Sequence, residues 1–319
     1  MNWNKQLIGM AVASTLGVLA TQPAHALVAA TSILDIDNFN FYQPGTSTNV
    51  VVGTDITIIG SFTNTGALKA DYDGTGGSSG PVSVAGNVDL TQLCFPAAAC
   101  NVYGENDYAT LPDAPPVTSF ASADMELTGS SLISPGADAN ARSDSALQTD
   151  GTKASSNADV GLISNFTFIN NTLTGIDVSF DAFAYVMAYT DPTDDLGSQA
   201  EASTAWSIEF TEVISEGGVE GATAVYTDPD LNLTRKNDPT TAGLLGAKRV
   251  LQTGSPGSLE SFLFSVALTP GTTYNVVVNH DVLNTTNLET VPVPEPSTLA
   301  LMGLGLLGLG AFKNRKRAT

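Results

Sequence analysis

The chain has 319 residues, of which 12 are Lys or Arg and 32 are Asp or Glu, so its formal net charge is −20 at pH 7. A surface this acidic repels nucleic acid phosphates and anionic lipid, which excludes nucleic acid as a partner. The length suffices for one large β domain that buries a core of its own, or for two small ones.

The first 26 residues have the three parts of a secretory signal peptide. Lys5 supplies the positive end, Leu7 to Ala20 is apolar, and Ala24-His25-Ala26 has the small-x-small form of a cleavage site. The alternative is an N-terminal membrane helix, but the polar break Thr21-Gln22-Pro23 argues against it. Signal peptidase is therefore expected to remove residues 1–26, which leaves a mature chain that starts at Leu27.

The first half of the exported segment, residues 27–290, predicts both strands and irregular stretches. Val50 to Phe62 is rich in β-branched residues and predicts a strand that stops at Asn64-Thr65-Gly66. Asp71 to Pro81 is rich in Gly and Ser and predicts a loop. Leu132 to Asn157 holds many Ser, Ala and Asp residues and few large apolar ones, so it predicts a surface excursion or a mobile segment near 132–157. Its serines could carry sugars.

Two cysteines, Cys94 and Cys100, lie close together in this half. In the oxidising exterior they are predicted to form one small disulfide loop. A metal site is disfavoured because no histidine lies near them. A redox site is disfavoured because the spacing is not C-x-x-C.

The second half predicts longer strands. Thr172 to Tyr189 alternates apolar residues at period two, and Ala202 to Val213 repeats the pattern around Trp206. Ser258 to Leu268 and Thr272 to Leu283 predict a hairpin around the turn Pro270-Gly271. Many such strands and turns predict an all-β fold, an antiparallel β-sandwich of the jelly-roll or immunoglobulin-like type.

Residues suited to catalysis are scarce. Histidine occurs only at positions 25 and 280, and His280 ends a predicted strand, where a structural role is favoured over a catalytic triad. Carboxylates are abundant, but their spacing singles out no pair for a glycosidase. The chain is therefore predicted not to be an enzyme and to need no cofactor other than calcium. Asp191, Asp194 and Asp195 could supply oxygen ligands to that ion, or they form a solvated turn.

Residues 291–319 have three parts in a fixed order. The motif Pro294-Glu295-Pro296 keeps the backbone extended, and the uncharged run Thr298 to Phe312 follows it. This run has 15 residues, short against the roughly 17–25 of a permanent membrane helix, and it is rich in glycine. Four cations between Lys313 and Arg317 close the chain and favour the cytoplasmic side. The tail predicts a short, temporary membrane helix, and the alternative is an ordinary membrane anchor.

This order of parts resembles the PEP-CTERM sorting tail of bacterial proteins that exosortase handles. The resemblance implies transient anchoring in the inner membrane, a cut near Pro294-Glu295-Pro296, and release to, or attachment at, the cell exterior. The stretch Tyr103-Gly-Glu-Asn-Asp-Tyr108 and the Ala/Ser/Asp-rich segment also resemble one group of exosortase-dependent surface proteins, the EDSAP group, to which no activity is assigned.

Two functions fit this sequence best. The first is a structural or adhesive protein of the cell surface or the extracellular matrix of a biofilm, with an exosortase-type enzyme and signal peptidase as processing partners. The second is a carbohydrate-binding module for exopolysaccharide, with Tyr103, Tyr108, Tyr185 and Tyr189 as platforms for sugar rings. A carboxylate-based hydrolase is a weaker third hypothesis.

Overall fold

The computed structural model describes residues 26–97, 104–109, 118–133, 135–149, 154–190, 198–214, 220–237, 249–253 and 258–288. Within these residues the chain forms fourteen β-strands and no helix. The strands are β1 Ala26–Tyr42, β2 Ile56–Tyr72, β3 Thr75–Val84, β4 Val88–Phe95, β5 Phe120–Gly129, β6 Ala137–Thr149, β7 Ala154–Asn170, β8 Gly175–Thr190, β9 Gln199–Val213, β10 Glu220–Thr227, β11 Thr234–Asn237, β12 Arg249–Thr253, β13 Glu260–Ala267 and β14 Thr273–Leu288.

The strands form two seven-stranded antiparallel sheets. Sheet A has the order β12-β8-β1-β6-β5-β4, with β13 also paired to β8. Sheet B has the order β10-β9-β14-β7-β2-β3, with β11 also paired to β9. The sheets pack face to face around a shared hydrophobic core. The predicted all-β class is therefore confirmed, whereas the jelly-roll or immunoglobulin-like type stays a prediction.

The alternation seen in the sequence identifies the inner faces of β8 and β9. The predicted face of β8 is buried in the core through Ile176, Val178, Phe180, Ala182, Ala184 and Val186. Trp206, Ile208 and Phe210 of β9 reach the same core from sheet B. The ring centroids of Trp206 and Phe180 lie 4.7 Å apart, a contact that adds to the gain from burying both rings.

Each sheet has one central strand. β1 pairs with β6 on one side and β8 on the other, and β14 pairs with β7 and β9 along its whole length. A β-bulge interrupts β1 between Ile36 and Phe39, where Asn38 adopts φ of +55°, a left-handed conformation that asparagine tolerates. After the bulge, Phe39 and Phe41 return to the core.

The two ends of the described chain lie at the same end of the sandwich. Ala26, at the start of β1, pairs with Thr149 at the end of β6. Leu288, at the end of β14, pairs with Ala154 at the start of β7. Only four residues separate Thr149 from Ala154, a stretch that spans at most about 18 Å. The first and last described residues therefore lie at one end of the sandwich.

The strand predicted at residues 50–62 is misplaced. β2 begins at Ile56 and runs to Tyr72, straight through Asn64-Thr65-Gly66, where the sequence predicted its end. Gly66 lies where the two sheets approach closely, since a Cβ built on it would be 2.8 Å from Met125 Cε and 2.9 Å from Val88 Cγ1. The glycine allows close packing between sheets and does not mark a turn.

The loop predicted at Asp71 to Pro81 is also wrong. Most of it belongs to β3, an edge strand of sheet B that pairs with β2. The side chains of β3 are largely exposed, so backbone hydrogen bonds define the strand without an apolar face. Such a strand carries no alternating pattern that a sequence could reveal.

The surface excursion or mobile segment predicted at residues 132–157 is contradicted. β6 lies inside sheet A between β1 and β5, and residues 141–147 are buried on both faces of the sheet. Ser143 and Ser145 are 0% and 1% exposed, so they cannot carry sugars in the folded domain. Small side chains suit an interior strand, and a strand that is covered on both faces need not alternate.

The hairpin predicted around Pro270-Gly271 is half right. The chain does turn there, and Gly271 has φ of +84°. However, β13 pairs with β8 in sheet A, whereas β14 belongs to sheet B. The turn therefore carries the chain from one sheet to the other. A turn signal shows where the chain reverses but does not show which strand becomes the partner.

Replacing Gly66 with Ala should lower the free energy of unfolding by about 1–3 kcal/mol, because the new methyl group overpacks the contact with Met125 and Val88. Urea unfolding measures the change. Gly86→Ala is the matched control, since a Cβ at Gly86 meets nothing within 4 Å. Equal effects of the two substitutions would show that the sheets do not constrain position 66.

Candidate functional site

Most residues predicted for sorting, signal cleavage, metal binding or the disulfide lie outside the described residues; these are Ala24, Cys100, Asp191, Asp194, Asp195, Pro294, Glu295 and Pro296. Ala26 is the first residue of β1. Cys94 on β4 is buried and disulfide-bonded, and its pairing with Cys100 stays a prediction. In the described ranges no helix is long and apolar enough to span a membrane, and the predicted C-terminal helix lies beyond them.

The described residues offer another candidate site on the outer face of sheet A, the face turned away from the shared core. A second hydrophobic cluster, here called the outer cluster, lies there and consists of Ala29, Ile33, Cys94, Phe120, Ala146, Phe183, Tyr185 and Met187. Tyr108 packs against it from residues 104–109, which we call the cover segment. Sheet A is therefore covered on both faces at this point.

A buried ion pair fastens the cover segment to the sheet. Arg142 and Asp144 on β6 stand two residues apart, so both point to the outer face, and each is 2% exposed. Arg142 Nε donates to Asp144 Oδ2, and Nη1 donates to the backbone oxygens of Asp107 at 2.8 Å and Ala109 at 2.7 Å. Thr31 Oγ1 of β1 donates to Asp144 Oδ1 at 2.8 Å. The guanidinium thus joins two strands and the cover segment.

This pair was not predicted from the sequence, although a signal was present. Arg142 is the one Lys or Arg between Lys69 and Lys153, and it stands at strand spacing from Asp144 in a run of small residues. Because charged residues are rarely buried unless paired, a lone cation among small residues points to a buried partner. Because residues 132–157 were predicted to be a surface excursion or a mobile segment, no buried partner was expected for Arg142.

Asp124 on β5 is a second contact between sheet A and the cover segment. It is the cross-strand neighbour of Arg142 and is 2% exposed. Its Oδ2 accepts a hydrogen bond of 2.6 Å from the backbone N of Asn106. Burial raises the pKa of Asp124 to about 6, and the negative charge of Glu105 raises it as well. The hydrogen bond from Asn106 lowers this pKa but does not cancel the effect of burial.

Four carboxylates form an acidic patch on the outer face of sheet A: Asp35 and Asp37 on β1, Asp138 on β6 and Asp181 on β8. Burial, together with the charges of Asp37 and Asp138, raises the pKa of Asp35 to about 7. Burial and the charges of Asp138 and Asp181 also raise the pKa of Asp37. Asn38 links two members, since its backbone N donates to Asp138 Oδ1 at 2.9 Å and its Nδ2 to Asp181 Oδ2 at 3.2 Å.

The acidic patch is not a built metal centre. Across the part of the chain that the structure describes, no group of three or more His, Cys, Asp or Glu side chains is placed to hold a metal ion. The electric field of the patch therefore attracts cations, and the carboxylates of the patch repel one another. Calcium binding by Asp191, Asp194 and Asp195 stays a prediction.

The other candidate residues are placed inside the fold. His280 is buried in the core, where its Nε2 lies 3.0 Å from the backbone oxygen of Leu34, and burial lowers its pKa to about 4. Tyr185 is buried, and Tyr108 and Tyr189 are partly buried against the outer cluster. Tyr103 lies outside the described residues. The three described tyrosines pack as part of the structure and leave no fully open ring for a sugar.

The comparison with known families concerns the C-terminal tail. The model of the PEP-CTERM protein-sorting motif matches residues 292–316. The chain carries a PEP-CTERM sorting motif. The predicted sorting motif is thereby confirmed, and it implies export to the cell exterior and processing by an exosortase, whereas the short membrane helix stays a prediction. No curated protein and no solved structure matches the chain, and the resemblance to the EDSAP group stays a prediction.

Replacing Arg142 with Met in the PEP-CTERM protein should lower its free energy of unfolding by about 3–5 kcal/mol, because Asp144 would stay buried without its partner charge. Lys236→Met is the control, since the Lys236–Glu201 pair spans 3.6 Å with both side chains about half exposed and is worth only ~0–1 kcal/mol. Urea unfolding compares them. An Arg142 effect as small as the control would contradict a fastening role.

The free energy of unfolding should fall as the pH rises from about 4 to about 7. In that window the folded chain keeps the Asp35 proton, which the unfolded chain releases near pH 3.8. The resulting stabilisation is complete below the unfolded pKa and is lost as the pH rises through about 7. The raised pKa of Asp124 also makes the free energy of unfolding fall as the pH rises, up to about pH 6. The lowered pKa of His280 makes it rise between about pH 4 and 6.5.

Asp35→Asn should flatten this fall by on the order of 1–2 kcal/mol, allowing for solvent screening at the patch. Urea unfolding at a series of pH values measures the slope. Asp73→Asn is the control, because Asp73 is exposed in the turn between β2 and β3 and its φ of +49° suits asparagine. If Asp35→Asn left the slope at its wild-type value, the raised pKa of Asp35 would not be the source of the fall.

Proposed function

We propose that the mature domain is a structural or adhesive protein of the cell surface or extracellular matrix, delivered there through its PEP-CTERM tail. The match of the sorting motif at residues 292–316 carries this proposal, because the motif supplies an address outside the cell. In this proposal the tail anchors the chain briefly in the inner membrane before an exosortase cuts near Pro294-Glu295-Pro296. The domain itself performs no catalysis.

The construction of the domain supports this role. Its strands are long, with 17 residues in each of β1, β2 and β7, and sheet A is covered on both faces near the outer cluster. The histidine of the mature segment is buried and is held largely neutral by its lowered pKa. A rigid, acidic and hydroxyl-rich body suits a component that persists outside the cell and stays soluble.

A carbohydrate-binding module is the alternative. Exposed aromatic rings would favour it, but Tyr185 is buried and Tyr108 and Tyr189 pack against the outer cluster. The packing of these rings supports the structural role over sugar binding. A binding assay of the mature protein on exopolysaccharide from the producing cells separates the two, since saturable binding would favour the alternative.

Mass spectrometry of the protein recovered from cells and medium tests the sorting proposal. The wild-type protein should start at Leu27 and end near Pro294-Glu295-Pro296. Replacing these three motif residues with Ala should leave the C-terminus intact at Thr319 and keep the chain in the membrane fraction. Ser297→Ala with Thr298→Ala is the control beside the motif and should be processed normally.

Wild-type protein that keeps Thr319 and occurs only in membranes would mean a simple anchored protein and would overturn the sorting proposal. Equal processing of the motif variant and the control would show that the processing enzyme does not read these three residues.

A further inference from the structure

A cavity lies between the two sheets, near the end of the sandwich where β5 turns into β6. Its wall is mainly apolar and includes Ile36, Phe62, Leu127, Phe166 and Trp206, with His280 among them. The volume of the cavity is about 40 Å³. At roughly 10–15 Å³ for each water, the cavity holds about three waters or one organic molecule of about five heavy atoms.

The hydrogen bonding of His280 leaves one nitrogen facing no partner. Nε2 lies 3.0 Å from the backbone oxygen of Leu34, and because a carbonyl oxygen only accepts, Nε2 carries the hydrogen and donates it. Nδ1 of the neutral ring is therefore an acceptor. It is buried without a hydrogen-bond partner among the described residues, and His280 is 2% exposed. A buried acceptor in this state costs about 1–3 kcal/mol.

Three other polar side chains on this wall are already hydrogen-bonded. Ser130 Oγ accepts from the backbone N of Leu132 at 3.3 Å. Ser164 Oγ donates to Asn64 Oδ1 at 2.7 Å, and Asn64 Nδ2 donates to the backbone oxygen of Gly86 at 2.7 Å. His280 is the one ionisable residue on the wall, so the wall offers no charge to pair with an ionic ligand. The cavity thus combines an apolar lining with His280, whose Nδ1 is the one buried polar side-chain atom of the described wall residues that lacks a hydrogen-bond partner. This combination disfavours ions and favours a neutral molecule.

We propose that this cavity binds a small neutral alcohol, whose hydroxyl donates to Nδ1 of His280 while its carbon chain packs against Trp206 and Phe166. The inference concerns the interior of the domain and goes beyond its sorting and its role as a structural component. The volume of the cavity limits the ligand to a few carbon atoms. The acceptor Nδ1 of His280 calls for one hydrogen-bond donor on that ligand.

Two isomers, 1-butanol and diethyl ether, test the proposal, because they share a formula and only the alcohol has a donor. In the exported protein, from which Trp3 and His25 have been removed with the predicted signal peptide, Trp206 and His280 are the only residues of their kinds. The fluorescence of Trp206 and the ¹⁵N shift of His280 Nδ1 then report on the cavity wall. Butanol should change both signals saturably and bind about tenfold more tightly than the ether, as expected for one buried hydrogen bond.

A variant separates the cavity from general solvent effects. Ala139→Leu fills the cavity from sheet A and keeps His280, so it should abolish the butanol response. Val225→Leu is the control, because Val225 is 59% exposed on β10. If Ala139→Leu fails to fold, the smaller change Val278→Ile at the same wall should weaken butanol binding.

Equal affinity for the two isomers, or no saturable change with either, would overturn the proposal. The cavity would then be a site for water molecules only. Undiminished binding by a folded Ala139→Leu variant would also overturn it, since the alcohol would then lie elsewhere.

Discussion

The pairing of β1 with both β6 and β8 is the constraint on which sheet A depends. β1 is the first strand of the exported domain, yet its partners lie about a hundred residues or more later in the chain. Closing such long loops is entropically costly and slow, so the centre of the sheet cannot form until most of the domain is available. β14 sets the same condition for sheet B, because the last described strand joins β7 to β9.

Coverage of sheet A on its outer face explains the composition of its strands. Where a sheet has water on one side, polar residues alternate with apolar ones. Here the outer cluster and the cover segment replace the water, so β6 can use Ala and Ser on both faces and can bury Arg142 beside Asp144. The cost of burying that ion pair is offset by the hydrogen bonds between Arg142 and both carboxylate oxygens of Asp144, and by three from outside the pair. The backbone oxygens of Asp107 and Ala109 accept from Arg142, and Thr31 Oγ1 donates to Asp144.

The predictions that succeeded used signals that are local in sequence. In β8 and β9, apolar residues at every second position face the shared core, so a period of two in the sequence identifies that face. The tail was recognisable from the order of its three parts. β3 and β6 were missed because an exposed edge strand and a doubly covered strand both lack that period. Arg142 and the acidic patch depend on which strands become neighbours, and Asp35, Asp138 and Asp181 come together only after β1 has paired with β6 and β8.

The shared location of the two chain ends gives the domain a direction. Ala26 pairs with Thr149 and Leu288 pairs with Ala154, so the first and last described residues share one pole of the domain. The β5–β6 turn, and with it the cavity near its base, lies toward the opposite pole, so the end of the domain where the described chain begins and finishes is not the end that carries the cavity.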